Sequence, residues 1–200
     1  MNKKVSYLGY GSDEELMSHA AKSLEGGQVV LLPTDTVYGL SADYYHEEAR
    51  QRIVEIKKRS ADKGFIVLVA DFPSLLNFAD QEIPKSILDQ LPAPLTLIVK
   101  NKDRKRYGEE TLAVRIPTDT WLSQLLHKLK SPVISTSANI SGEPMAKSHD
   151  ELTHSFVHKV DLIVLKRDYE GQAPSTILDI SSEPYKILRQ GAFRVSGFLG

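Results

Sequence analysis

The chain contains no cysteine, which removes disulfides, thiolate zinc sites and cysteine nucleophiles together. It has no excess of either charge. Its 25 Lys and Arg stand against 26 Asp and Glu, for a formal net charge of −1, so an anionic ligand must be met by local clustering of cations. Net charge neither supports nor excludes RNA. No apolar run approaches the roughly 20 residues of a membrane span, and Met1 to Gly11 lacks the apolar stretch of a signal peptide. The expectation is a soluble cytoplasmic protein. Internal repeats and low-complexity tracts are absent as well. GxxxxGK[ST], GxGxxG, GxSxG and HExxH do not occur, which excludes the usual signatures of P-loop and dinucleotide binding, serine hydrolysis and zinc peptidolysis. Of the six histidines, His154 and His158 could share a helical face, but no third ligand stands beside them. No metal ligand set is therefore expected.

What is present suits one α/β domain. Two hundred residues with 41% hydrophobic content are enough for a substantial core. Ser12 with Glu15 forms a capping box ahead of Leu16, Ala20, Ala21 and Leu24, and Gly26-Gly27 ends that helix. A strand over Val29 to Leu32 stops at Pro33, which has no N–H for a sheet ladder. A helical stripe runs from Glu47 to Lys58, and FIVLVA at 65 to 70 is short and apolar enough for a strand buried on both faces. Asp71 caps a short helix, and Pro84 fits the first turn of another ending near Leu91. Strands follow at Leu95 to Val99 and Leu112 to Ile116, joined by Lys100 to Glu110, which reads as a mobile solvent loop. Thr118 or Asp119 caps a helix carrying Trp121, Leu122, Leu125, Leu126 and Leu129. A short strand, Val133 to Ser135, leads into STSANISGEP, and Ser148 with Glu151 makes a second capping box. Leu162 to Leu165, Ser175 to Ile180 and Tyr185 to Leu188 close the series, with a loop over Arg167 to Pro174. The alternation predicts a single α/β domain with a mixed sheet of about seven strands and flanking helices.

Chemistry-bearing residues fall into clusters that leave more than one explanation open. Thr34, Asp35 and Thr36 place two hydroxyls and a carboxylate just beyond a strand end, where ligands of open α/β sheets sit; they could equally form a turn that satisfies its own backbone. Lys57, Arg59 and Lys63 either complement the negative end of a helix or neutralise a polyphosphate. Arg115 is a lone cation in the apolar strand LAVRI, so it faces solvent or is paired, because an unpaired buried charge is very costly. Ser135 to Gly142 either lines an anion-binding hollow with backbone N–H groups or is an ordinary polar loop. Ser175-Thr176 and Arg189 complete the set.

Taken together and in order, PTDTVYGL at 33 to 40, Lys57-Lys58-Arg59 with Asp62-Lys63-Gly64, LAVRIP at 112 to 117, STSANISG at 135 to 142, PSTILDI at 174 to 180 and ILRQGA at 187 to 192 resemble the YrdC/TsaC family. The similarity runs from about residue 12 to residue 193, as one YrdC-like domain over residues 1–200. It implies the short, single-domain type, without the additional C-terminal domain of longer members. It also implies a threonylcarbamoyl-AMP synthase, a nucleotidyltransferase that joins L-threonine, bicarbonate and ATP and releases pyrophosphate, with Mg²⁺ on the nucleotide. By resemblance, Thr34, Thr36, Arg115, Ser135 and Ser175 hold threonine. Lys57, Arg59, Lys63, Thr111, Ser137, Asn139 and Arg189 hold the nucleotide, and Lys57, Arg59 and Arg115 are the catalytic cations. Asp35 is the candidate for a metal contact. Downstream partners are the tRNA-modifying threonylcarbamoyl-transferase proteins. RNA contact is a further expectation, and the competing reading is a double-stranded RNA-binding or ribosome-maturation module on the same scaffold. Ser60, Ala93 and Gln190 depart from the family pattern, which commonly has Pro, Gly and Pro there.

Overall fold

The computed structural model describes residues 6–8, 11–58, 60, 64–165 and 173–196. In chain order the elements are β1 (Ser6–Leu8), α1 (Asp13–Glu25), β2 (Val30–Leu32), β3 (Gly39–Asp43), α2 (Glu47–Lys57), β4 (Ile66–Leu68), α3 (Phe72–Leu76), α4 (Lys85–Leu88) and β5 (Leu95–Lys100). They continue with α5 (Arg104–Tyr107), β6 (Thr111–Arg115), α6 (Thr120–Leu129), β7 (Val133–Ser137), α7 (His149–Phe156), β8 (Leu162–Val164), β9 (Thr176–Asp179) and β10 (Lys186–Arg189). Among the described residues the strands form one 10-stranded mixed sheet in the order β1-β8-β2-β3-β7-β4-β6-β5-β9-β10.

The sheet therefore exceeds the expected seven or so strands. β3 was hidden because Gly, Ser and Asp are poor strand formers, yet it runs antiparallel between β2 and β7 and is buried along its whole length. Central pairing overrides propensity there. The capping signals hold: the Ser12 hydroxyl accepts from the Glu15 N–H while the Glu15 carboxylate accepts from the Ser12 N–H. Asp119, not Thr118, caps α6; Ser148 caps α7, but Glu151 accepts from the Lys147 N–H and not from the Ser148 N–H, so the second capping box is only half formed. The Lys100 to Glu110 segment contains α5 and is tied down by the buried Asn101, whose amide donates to the Glu109 carbonyl. Among the described residues no helix is long and apolar enough to cross a membrane.

Side chains of a strand alternate between faces, and the two faces are covered unequally. Leu31, Leu40, Ala42, Ile134, Val67, Val114, Leu97 and Leu178 belong to one core cluster, which also takes in Ala49 and Ile53 of α2, Leu75 of α3, Ile87 of α4 and Leu152 and Phe156 of α7. On the opposite face Val30, Leu32, Leu68, Val133, Leu162 and Val164 pack under Leu16, Ala20 and Leu24 of α1 and Trp121, Leu122 and Leu125 of α6. Those two helices do not reach across. Ser135 and Ala113 are the register partners of Ile66, and around them this face is left open and polar.

Candidate functional site

The uncovered part of the sheet is a hollow of about 240 Å³. Its walls bring together Thr34, Thr36, Arg115, Ser135, Ser137, Ser175 and Arg189, with Ile66 and Ile177 as apolar floor. Polar groups from five separate stretches of sequence thus meet on one surface.

The Thr34 to Tyr38 segment is a built turn. Thr34 Oγ1 donates to the Val37 carbonyl at 2.7 Å and accepts from the Thr36 N–H at 3.1 Å. Thr34 satisfies the local backbone, as the turn alternative requires, while both Thr34 and the buried Thr36 also line the hollow. Thr36 Oγ1 accepts from Arg115 Nη1 at 2.8 Å. Gly39 is required by the close passage of β3 along β7, since a Cβ there would stand 2.3 Å from Ser135 Oγ. Ser41 Oγ donates to Ser135 Oγ at 3.0 Å.

Arg115 does not face solvent. It is 3% exposed, in an ion pair with the equally buried Asp35 (Nη2 to Oδ1, 3.2 Å). Burial pushes its pKa down, the Asp35 carboxylate opposes that, and the nearby Arg189 adds to the lowering; a guanidinium remains charged throughout. Asp35 in turn accepts from the N–H and the hydroxyl of Thr118 at 3.0 and 3.1 Å. It is thereby committed to Arg115 and Thr118, unlike Thr34 and Thr36, which line the hollow. It does not itself line the hollow, and among the described residues no three or more His, Cys, Asp or Glu side chains stand together as an ion-binding group.

β7 runs two residues further than expected, to Ser137. Ser135 and Ser137 therefore face the hollow as alternate residues of a strand, not as members of a phosphate-wrapping loop. Beyond Ser137 the chain turns, and Lys57 from the end of α2 holds that turn. Its ammonium donates to the carbonyl oxygens of Ser137 and Asn139 at 2.5 and 2.8 Å and to Asn139 Oδ1 at 3.2 Å. The Ser141 N–H donates to the Lys57 carbonyl at 3.1 Å. Lys57 and Asn139 thus stand behind the wall of the hollow. Thr111 is exposed at the start of β6 and is not part of the lining. Arg59 and Lys63 lie outside the described residues.

The Ser175 and Arg189 halves of the last cluster do meet. Arg189 Nε and Nη2 donate to the Ser175 carbonyl at 3.0 and 2.9 Å, and Nη2 also reaches Ser175 Oγ at 3.1 Å. Desolvation lowers the Arg189 pKa. Gly191 lets the chain lie flat there, because a Cβ would fall 2.1 Å from the Pro174 carbonyl oxygen. Ser41 and Thr96, which bonds Ser175 at 2.9 Å, went unrecognised in the sequence. Only strand register reveals that they back the hydroxyls of the hollow.

The Sua5/YciO/YrdC family model, described as "Telomere recombination", matches residues 22–191. The chain belongs to the Sua5/YciO/YrdC family. It is 35% identical over 181 residues to the threonylcarbamoyl-AMP synthase of Pyrococcus abyssi (strain GE5 / Orsay), covering 86% of this chain and 53% of that protein. It is thus similar to about half the length of that curated relative. The structure of P. abyssi Sua5 complexed with L-threonine matches with a TM-score of 0.82 at 31% identity, over 94% of this chain and 57% of that one. Escherichia coli YciO matches with a TM-score of 0.86 over 98% and 100% of the two chains. At 23% identity the YciO likeness speaks for the fold alone. The mixed sheet with helices on both faces is the Sua5/YciO/YrdC fold.

Proposed function

We propose that the chain is an L-threonylcarbamoyladenylate synthase, a nucleotidyltransferase that uses L-threonine, bicarbonate and ATP. The observation that carries this reading is the convergence of Arg115, Arg189, Thr36, Ser135, Ser137 and Ser175 on one hollow. The similarity to the P. abyssi threonylcarbamoyl-AMP synthase and to P. abyssi Sua5 complexed with L-threonine supports the choice of threonine. At about 240 Å³ the hollow is small beside the roughly 300–1,000 Å³ of pockets for drug-sized ligands, so it suits an amino acid and leaves the nucleotide to extend past the Ser137 end.

In this reading the threonine amine, having lost a proton to solvent, attacks the bicarbonate carbon, and water leaves to give a carbamate. A carbamate oxygen then attacks the α-phosphorus of ATP in line, forming the new P–O bond as the bond to pyrophosphate breaks. Two anions must approach each other, so cations and positioning dominate over any protein nucleophile. Arg115 pairs with the threonine carboxylate, and Thr36, Ser135 and Ser175 orient the rest of the molecule. Arg189 and Ser137 face the nucleotide side, with Lys57 holding the Ser137–Asn139 turn and the basic residues Arg59 and Lys63 following α2 in sequence. Mg²⁺ arrives on the polyphosphate, as is usual in phosphoryl chemistry. The product is an activated carbamoyl group for tRNA-modifying transferases of the cytoplasm.

The deciding experiment measures pyrophosphate release from ATP by the purified protein, with L-threonine and bicarbonate supplied together and each omitted in turn. Release that requires both is expected; release indifferent to threonine rejects the reading.

A further inference from the structure

Asp35 is a buried carboxylate that the substrate assignment leaves without a task. Its neighbours Thr34 and Thr36 line the hollow and it does not, so the loop turns its carboxylate away from ligand and into the protein. One oxygen, Oδ2, takes both donors of Thr118, the residue immediately before the Asp119 cap of α6. The other, Oδ1, stands 3.2 Å from Arg115 Nη2, with both side chains at most 4% exposed. That contact is an ion pair without an aligned hydrogen bond, and Arg115 Nε also has no hydrogen-bond partner among the described residues. The guanidinium is therefore gripped at its two terminal nitrogens, by Thr36 at Nη1 and by Asp35 at Nη2, while Nε is without a hydrogen-bond partner among the described residues.

A guanidinium on a three-carbon stem has many rotamers, and selective pairing with a planar carboxylate requires one of them. Thr36 alone supplies a single neutral acceptor. Asp35 supplies charge and a second fixed point, and it is itself fixed by Thr118 at the start of a helix packed on the sheet. We propose that Asp35 is a positioning residue that locks the Arg115 guanidinium in its ligand-facing rotamer and couples that rotamer to the start of α6 through Thr118. This rests on the reading of Arg115 as the partner of the amino-acid carboxylate.

The test compares the protein with its Asp35→Asn, Thr118→Val, Arg115→Met and Asp35→Asn/Arg115→Met variants. Asp35→Asn keeps the side-chain volume and removes the charge. It should raise KM for L-threonine by about tenfold to a hundredfold, as a displaced positioning contact does, with KM for ATP and the Mg²⁺ requirement unchanged. Adding it to Arg115→Met should raise the threonine KM no further, because both act through one guanidinium. Thr118→Val should shift the threonine KM the same way by less, and it stands in if Asp35→Asn fails to fold. A second readout needs no turnover: the Arg115 Nε–H resonance in ¹⁵N NMR should exchange with solvent faster in Asp35→Asn and in Thr118→Val. A raised Mg²⁺ requirement, full additivity with Arg115→Met, or unchanged Arg115 exchange overturns the proposal. Wild-type protein that releases no pyrophosphate in response to threonine overturns the reading of the reaction instead, and the exchange measurement still decides the role of Asp35.

Discussion

The Lys57 ammonium donates to the Asn139 carbonyl oxygen at 2.8 Å across 82 positions of sequence. A lysine 3% exposed, surrounded by loop oxygens, holds the turn that follows Ser137. Removing the donor leaves half-buried carbonyls unpaired, at about 1–3 kcal/mol where water does not replace it. Lys57→Met is expected to lower the midpoint of urea unfolding by that amount and to raise KM for ATP more than KM for threonine. Equal effects on the two constants would contradict the placement of the turn on the nucleotide side.

Arg115 and Asp35 form a pair whose members are worth more together than apart. Breaking a buried ion pair on one side strands the other charge, at about 3–5 kcal/mol. Arg115→Met alone should therefore destabilise the fold more than Asp35→Asn/Arg115→Met, which removes both charges. Urea unfolding of the two variants checks the order.

Gly39 has no room for a methyl group, because Ser135 Oγ would stand 2.3 Å from it. Gly39→Ala must part β3 from β7 or displace Ser135, which overpacking data put at about 1–3 kcal/mol. Removing the obstructing oxygen should help, so Gly39→Ala/Ser135→Ala is expected to unfold at a higher temperature than Gly39→Ala.

The Tyr38 hydroxyl lies 3.0 Å from His149 Nε2, and burial lowers the His149 pKa below its usual 6.5. The sign follows from linkage. As pH falls through 6.5 the unfolded chain takes up the proton first, so His149 favours unfolding increasingly below that value and makes no such contribution above it. Thermal midpoints measured from pH 8 downward should fall less steeply in His149→Gln than in the parent protein.

Much of the framework was readable in advance. Ser12 with Glu15, Asp119 and Ser148 mark helix starts because capping is settled within three or four residues. The apolar runs of β4, β5 and β6 declare strands, since nothing else of that length is buried on both faces. β3 was not readable: GLSAD is a strand only because β2 and β7 flank it. Nor was the end of β7, where Ser135 and Ser137 resemble loop residues until the pairing with Gly39 and Ser41 is known.

The amino-acid sequence by itself determined the α/β class, the starts of α1, α6 and α7, the family and the residue types available for chemistry, but not α5 or the end of α4 at Leu88. Tertiary structure alone decided which of those residues share a surface, putting Arg189 on Ser175, sending Asp35 inward to Arg115 and placing Lys57 behind the Ser137 turn. The reason lies in the period of two along a strand. A shift of one residue in pairing sends every side chain to the opposite face, and register is set by strands distant in sequence, so no local pattern can announce it.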